Sequence, residues 1–167
     1  MWDVYDAIRT ARLNAKYYGC RVSALERENF WIELTLAATA TGSAIAGFAF
    51  WSTTAGKPIW QGLMIVSAIL AIVKPLLKLT DRIQKLEQLI GVYRNIEYEL
   101  KAIEIGIKQR RTFDSELQSQ FAEALKQMKE AAANPAGGFR TDDRLRKRCQ
   151  EEVAYELPSD HFFVPEH

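Results

Sequence analysis

A long stretch almost without charge constrains this chain more than any other feature. From Leu34 to Val73, 40 residues carry a single charged side chain, Lys57. The other 42 charged side chains lie in the remaining 127 residues. A buried helix of a soluble protein rarely runs so far without charge, whereas a helix that crosses a bilayer needs about 20 mostly apolar residues. The distribution of charge therefore predicts a membrane-embedded part flanked by water-exposed helices.

The uncharged stretch divides into two segments, each long enough to cross a membrane. Within residues 30–79 we expect one span at about 30–51 and another at about 58–79, joined by a polar turn. So short a connection makes the two helices antiparallel neighbours. Aromatic rings and a long cation that favour the headgroup region mark the segment ends. These predicted interface anchors are Trp31, Trp51, Trp60 and Lys74. The alternative is a soluble bundle that contains a long buried hairpin.

Basic residues stand on one side of the predicted hairpin. Five Lys or Arg side chains lie within residues 1–29 and five more within residues 74–94, whereas the connecting turn has only Lys57. Positive charge favours the cytoplasmic side of a membrane, so both termini are expected in the cytoplasm. A reducing compartment also suits Cys20 and Cys149, neither of which has a CxxC partner.

Small and hydroxyl-bearing residues dominate the first predicted span. They form two rows that are candidates for helix packing or for lining a pore: Ala38, Gly42 and Ala46 in one, and Thr35, Thr39, Ser43 and Gly47 in the other. Small residues let helix backbones approach closely, and hydroxyls bond between helices. The row therefore either packs, within the hairpin or between subunits, or lines a water-filled path in an oligomer. Glu33, at the cytoplasmic edge, either forms a pore-mouth charge or simply reaches water.

The regions beside the spans are typical of long helices. Residues 1–29 predict an amphipathic helix. Residues 80–133 predict a helical region whose first helix, Asp81 to Arg110, continues the second span. Pro75 predicts a kink near Lys74. Apolar residues at heptad spacing predict a coiled coil, formed either with the N-terminal helix or with a neighbouring subunit. The coil positions are Ile83, Leu86, Ile90, Tyr93, Leu100, Ile103 and Ile107.

The remaining segments complete an all-α prediction. A further helix is expected to begin at a cap on Asp114 or Ser115. Residues 134–167 predict a short helix, from Asp142 to about Glu156, and an extended tail. The expected fold is an all-α membrane protein, a two-transmembrane helical hairpin with long cytoplasmic helices in a coiled-coil-like bundle.

No sequence pattern in the chain predicts catalysis. It has no GxxxxGK[ST], GxGxxG, HExxH or GxSxG sequence. Cys149, His161 and His167 are irregularly spaced, so neither a metal site nor a cofactor is expected. A formal net charge of +1 provides no basic field, so direct sequence-specific nucleic-acid binding is not expected. We therefore expect a protein that is not an enzyme.

Three stretches resemble the SLATT family, small bacterial proteins with two transmembrane helices. They are residues 7–18 (AIRTARLNAKYY), the small-residue first span with its turn, and residues 79–99 (LTDRIQKLEQLIGVYRNIEYE). The resemblance covers roughly residues 5–130. It implies an effector of an antiphage, abortive-infection system that oligomerises and permeabilises or depolarises the bacterial inner membrane. It also implies a triggering partner, either a nucleotide-signalling module or a retron reverse transcriptase with its DNA.

A second function fits the same layout. The hairpin can serve as a membrane anchor or scaffold, without a pore, that recruits a soluble partner through residues 80–167. Both functions require contact with the lipid bilayer, and the pore-forming one requires a homo-oligomer because a two-helix hairpin is too small to enclose a channel. The discriminator is whether residues 80–167, expressed without the spans, retain the whole activity.

Overall fold

The computed structural model describes residues 2–45, 56–133 and 141–159, and within these ranges the chain is helical with no strand. For these residues the predicted all-α class is confirmed. The five helices are α1 Trp2–Ile45, α2 Gly56–Leu77, α3 Leu79–Arg110, α4 Ser115–Ala133 and α5 Asp143–Glu156. Ala46, Gly47 and Trp51 lie outside the described residues, as do the side chains of Ser43 and Trp60.

The helices belong to two compact units. The hairpin unit is Ser23–Ile83, and the helical unit is Met1–Val22 together with Gln84–His167. The sequence patterns placed boundaries after residues 29 and 79, and both positions fall inside the hairpin unit. The N-terminal segment thus shares a unit with the helices that follow the spans, because one of its faces packs on them.

The core of the helical unit forms between α1, α3 and α4. Buried residues of α1 recur three or four positions apart and so share one helix face. They are Val4, Tyr5, Ala7, Ile8, Ala11 and Ala15. The same core contains, from α3, Tyr93, Ile96, Leu100, Ile103 and Ile107, and from α4, Leu117, Ala124 and Ala131. Of the two coiled-coil partners that the sequence left open, the N-terminal helix of the same chain is the one observed.

The heptad positions of α3 differ in burial. Leu86, Tyr93, Leu100, Ile103 and Ile107 are buried, and Ile83 and Ile90 are half-buried. The rings of Tyr18 and Tyr93 stack with centroids 5.8 Å apart, which extends the contact between α1 and α3. The polar heptad position Glu97 is also buried, with 5% of its surface exposed. A carboxylate in such a place requires cationic partners.

The junction between α2 and α3 differs from the predicted one. Pro75 lies inside α2, which ends two residues later at Leu77, and α3 begins at Leu79. Lys78 separates them with a left-handed backbone, φ 45°. A residue in this conformation commonly ends a helix because the chain direction changes there. The expected continuous helix is therefore corrected to a break at Lys78, whereas the expected kink near Lys74 stays a prediction.

Aspartate side chains cap the last two helices. The Leu117 N–H donates to Asp114 Oδ1 at 3.0 Å, and the Leu145 N–H donates to Asp142 Oδ1 at 3.1 Å. Each bond satisfies one of the backbone donors that a helix start leaves unpaired. Of the two caps considered for α4, Asp114 is the one observed.

Truncation of Leu100 tests the core of the helical unit. Because this side chain is fully buried, Leu100→Ala should lower the free energy of unfolding by about 2–5 kcal/mol. The matched control is Leu125→Ala on α4, where 41% of the side chain is exposed and the loss should stay below about 1 kcal/mol. Denaturant unfolding of the purified chain, followed by helical circular dichroism, measures both. Equal losses would contradict this core.

Candidate membrane-active hairpin

The apolar surface of α2 faces outward. Its exposed large side chains are Leu63, Met64, Ile65, Val66, Ile69, Ile72 and Leu76. Among the described residues, one stretch, Gln61–Arg110, which comprises most of α2 and all of α3, contains a window long and apolar enough to cross a membrane, and only 6% of that window is buried. A core helix of a soluble protein would be mostly buried. An apolar surface of this length in water marks a site that meets lipid or another apolar partner.

The described part of the first predicted span is less apolar. This span continues α1 as far as Ile45, and its exposed large residues are Phe30, Trp31 and Leu34. Small and hydroxyl-bearing residues fill most of the rest. Such a helix gains little from lipid on its own, because only large apolar side chains contribute strongly to insertion. Insertion of this segment would therefore require polar and packing contacts with α2.

A hydroxyl pair joins the two helices of the hairpin unit. Ser67 Oγ of α2 donates to Thr39 Oγ1 of α1 at 2.7 Å. The Thr39 hydroxyl lies 2.9 Å from the carbonyl oxygens of Thr35 and Leu36, to which it donates. Thr35 Oγ1 donates to the Trp31 carbonyl at 2.8 Å. These hydroxyls satisfy one another and the helix backbone without water, as an apolar environment requires.

This geometry bears on the two interpretations of the hydroxyl row. Thr39 contacts the partner helix of the same hairpin, which is the packing interpretation at that position. Ala38, in the neighbouring row, is exposed. Ser43 and Gly47, the other members of the hydroxyl row, fall where the structure describes no side chain, as do Gly42 and Ala46. The role of the full row in a water path stays a prediction.

An ion pair joins the same two helices nearer the charged flanks. Lys74 Nζ lies 3.1 Å from Glu33 Oε1, and Asn29 Nδ2 donates to the same oxygen at 3.1 Å. Sequence reasoning gave the two charged residues separate roles, Glu33 as a pore-mouth charge and Lys74 as an interface anchor. Glu33 immediately precedes the uncharged stretch and Lys74 immediately follows it. In an antiparallel hairpin these two positions lie at the same end, and this was the sequence signal for their pairing. Within the hairpin, each neutralises the other.

A second polar group, the charge cluster, joins three helices of the helical unit. Arg12 Nη1 lies 2.6 Å from Glu97 Oε1, and its Nη2 lies 3.1 Å from Glu156 Oε2. Lys16 Nζ lies 2.6 Å from Glu156 Oε1 and 3.1 Å from Glu152 Oε2. The hydrogen bond from Lys16 is the main cause that lowers the pKa of the Glu156 carboxyl, with Arg12 acting in the same direction against desolvation. The cluster fixes α5 against α1.

Glu97 is the buried centre of this cluster. Lys101 Nζ, one helical turn further along α3, lies 2.7 Å from the Glu97 oxygen that Arg12 also contacts. The hydrogen bond to Glu97 is the largest cause that raises the pKa of Arg12. A buried carboxylate is tolerated only where cations and hydrogen bonds replace its water. Sequence reasoning missed this pair, although an acidic residue at a heptad core position was its signal.

The described ranges contain no candidate metal site. Within residues 2–45, 56–133 and 141–159, no group of three or more His, Cys, Asp or Glu side chains can hold a metal ion. His161 and His167 lie outside those ranges. Comparisons of the chain with protein-family models, with curated proteins and with solved structures find no match.

The charge cluster predicts a pH dependence of stability. Because folding lowers the pKa of Glu156, its contribution is complete above the ordinary value of 4.5 and is lost as the pH falls through the folded value. Glu156→Gln should therefore be less stable than the parent at pH 7, by at most about 1 kcal/mol for so exposed a group. The gap should close below pH 4.5.

Thermal unfolding of both proteins between pH 7 and pH 3.5 measures this gap. Glu151→Gln, an exposed position on the same helix, is the control and should leave the pH profile of the parent unchanged. A gap for Glu156→Gln that stays constant over the whole range would contradict the ion-pair assignment.

Proposed function

We propose that this protein is a membrane effector of a bacterial antiphage system, which oligomerises and permeabilises or depolarises the inner membrane when a partner sensor is triggered. The observation that carries the proposal is the outward apolar surface of α2. Only 6% of the most apolar window is buried. A surface of this kind needs a lipid or protein cover. The family resemblance of the flanking helices supports the antiphage context.

The proposed topology has two spans and cytoplasmic termini. In lipid, Leu, Ile, Phe and Val side chains contribute about −0.3 to −0.6 kcal/mol each at the helix centre, so the exposed Leu, Ile and Val residues of α2 together give roughly −3 kcal/mol. α1 has few such residues, and its insertion would rely on the hydroxyl contact with Ser67 and on the Glu33–Lys74 pair. The basic residues flanking both spans support a cytoplasmic position for both termini.

Oligomerisation follows from the size of the hairpin. Two helices cannot enclose a water-filled path, so several copies must contribute to any pore. In this proposal the Thr35, Thr39 and Ser43 row lines the path or packs between copies. Thr39 also accepts a hydrogen bond from Ser67, so assembly must keep this bond or replace it with one between copies. Glu33 stands at the mouth, where its pairing with Lys74 sets the local charge.

The helical unit is the proposed receiver of the signal. It has its own core, and α1 and α3 each run from this unit into the hairpin unit along the chain. The triggering partner would be a nucleotide-signalling module or a retron reverse transcriptase with its DNA. The chain itself is proposed to act without catalysis, cofactor or direct sequence-specific recognition of nucleic acid.

A membrane anchor is the competing function. It is favoured by the observation that the helical unit presents exposed aromatic residues, Tyr98 and Tyr155, which a soluble partner can contact. The two functions predict different behaviour of the membrane. An effector changes its permeability, whereas an anchor leaves the permeability unchanged and works equally well with a foreign span.

Expression of the chain in bacteria separates these functions. With a voltage-sensitive dye, the effector predicts depolarisation that precedes growth arrest. Replacing the spans by an unrelated two-span hairpin should abolish it. The decisive condition is phage challenge of cells that co-express the chain with its genomic neighbours, with the chain present in the membrane fraction. A stable membrane potential under this condition would contradict the effector proposal and favour the anchor.

Bulky apolar substitutions test the hydroxyl row. Combined Thr35→Leu, Thr39→Leu and Ser43→Leu should reduce depolarisation by at least about tenfold, because three added side chains block a narrow path and prevent close packing. Insertion should be retained, since leucine favours lipid. Ala37→Leu adds one such side chain at an exposed position of the same helix and is the control for added bulk outside the row. Depolarisation of the triple variant at the level of the parent would remove this row from the path.

A further inference from the structure

The two cysteines of the chain meet in the helical unit. Cys149 of α5 is fully buried, and Cys20 of α1 is half-buried. Arg148, the residue before Cys149 on α5, places its Nη2 3.9 Å from Cys20 Sγ, and the Cys20 thiol is one of the neighbours that raise the pKa of Cys149, so the two thiols lie side by side. They are 129 positions apart and are the chain's full complement of cysteine, so their contact arises from the packing of α5 on α1.

Contacts along the two helices hold this thiol pair in register. The Asp142 N–H donates to the Tyr17 hydroxyl at 3.0 Å, at the start of α5. Lys16 pairs with Glu152 at 3.1 Å and with Glu156 at 2.6 Å, towards the end of α5. The thiol contact lies between these anchors along α5. Its geometry therefore does not depend on the thiols alone.

The surroundings of the two sulfur atoms differ. Burial is the largest cause that raises the pKa of Cys149 to about 11, and Cys20 and Glu152 act in the same direction. Cys149 thus stays a neutral thiol at cytoplasmic pH. Arg148 Nη2 lies 3.9 Å from Cys20 Sγ, which places a positive charge beside the more exposed sulfur. An accessible sulfur next to a cation is the arrangement found at oxidant-sensitive cysteines.

We propose that Cys20 and Cys149 are a redox modification site, which forms a reversible disulfide between α1 and α5 when a peroxide is present. The Cys20 thiolate attacks one peroxide oxygen, and the O–O bond breaks to give a sulfenic acid and hydroxide. The Cys149 thiol loses its proton and its sulfur attacks the Cys20 sulfur, which breaks the S–O bond and releases a second hydroxide. With the two thiol protons, the products are one disulfide and two waters.

Disulfides in a reducing cytoplasm are commonly transient and redox-sensing. Small thiols or a dithiol reductase reverse the bond by thiol–disulfide exchange. The bond would hold α5 on α1 even where the charge cluster is broken. This inference concerns the helical unit alone and does not depend on the proposed membrane activity.

Mass measurement on the purified full-length chain in detergent tests the site. After treatment with hydrogen peroxide, alkylation under denaturing conditions should leave both cysteines unmodified in a monomer that is lighter by two hydrogen atoms. Digestion should yield one linked pair of peptides containing Cys20 and Cys149, and dithiothreitol should separate it. Two alkylated cysteines, or a cross-linked dimer, would overturn the proposal.

Single variants test the order of the two steps. In Cys149→Ser, Cys20 should accumulate as a sulfenic acid that a dione reagent captures, because the second thiol is absent. In Cys20→Ser, the buried Cys149 should remain a thiol. Capture at Cys149 but not at Cys20 would contradict the assigned roles.

The thermal stability of the oxidised chain is a further test. Since the disulfide closes a long loop, oxidation of the parent should raise the Tm by roughly 10 °C, and Cys20→Ser should lack this shift. An unchanged Tm would contradict a bond that constrains the fold.

Discussion

The outward apolar surface of α2 is the constraint on which the structure depends. Water solvates such a surface poorly, at a cost of about 25 cal/mol for each Å² exposed, and only 6% of the most apolar window is covered by the chain itself. The polar groups beside this surface are paired internally. Ser67 donates to Thr39, Thr39 donates to its own helix, and Glu33 meets Lys74. A hairpin with these features is suited to a medium that offers no hydrogen bonds.

The helical unit has the opposite arrangement of apolar and polar residues. Its apolar residues turn inward between α1, α3 and α4, and its charged residues form a cluster around Glu97. Removing one cation from a buried carboxylate costs more than the pair contributes, so the cluster enforces one arrangement of α1, α3 and α5. The same arrangement brings Cys20 to Cys149. The ion pairs of α5 and the placement of the two thiols in this unit are thus consequences of a single register between α1 and α5.

The sequence predicted features that depend on spacing along one helix. The heptad face around Leu100 and the apolar face of the N-terminal helix follow from local periodicity, and the cap at Asp114 follows from the residue types at the start of α4. Periodicity marks Glu97 as an acidic residue at a core position but does not identify its partner Arg12, 85 positions away. It carries no information on the contacts of Arg12 with Glu156 or of Cys20 with the region of Cys149, which join distant parts of the chain. The break at Lys78 was missed for another reason. Lysine has no special preference for the left-handed backbone observed there.

The contact of α2 with lipid is the central claim, and the accessibility of a spin label at residue 69 tests it directly. Ile69→Cys and Tyr98→Cys, each with Cys20→Ser and Cys149→Ser, place a label on exposed positions of the hairpin and helical units. In vesicles, the label at 69 should collide with oxygen, which dissolves in lipid, more than with a water-soluble nickel chelate. The label at 98 should collide mainly with the nickel chelate. Equal nickel access at both positions, or protection of position 69 from both reagents, would contradict the account.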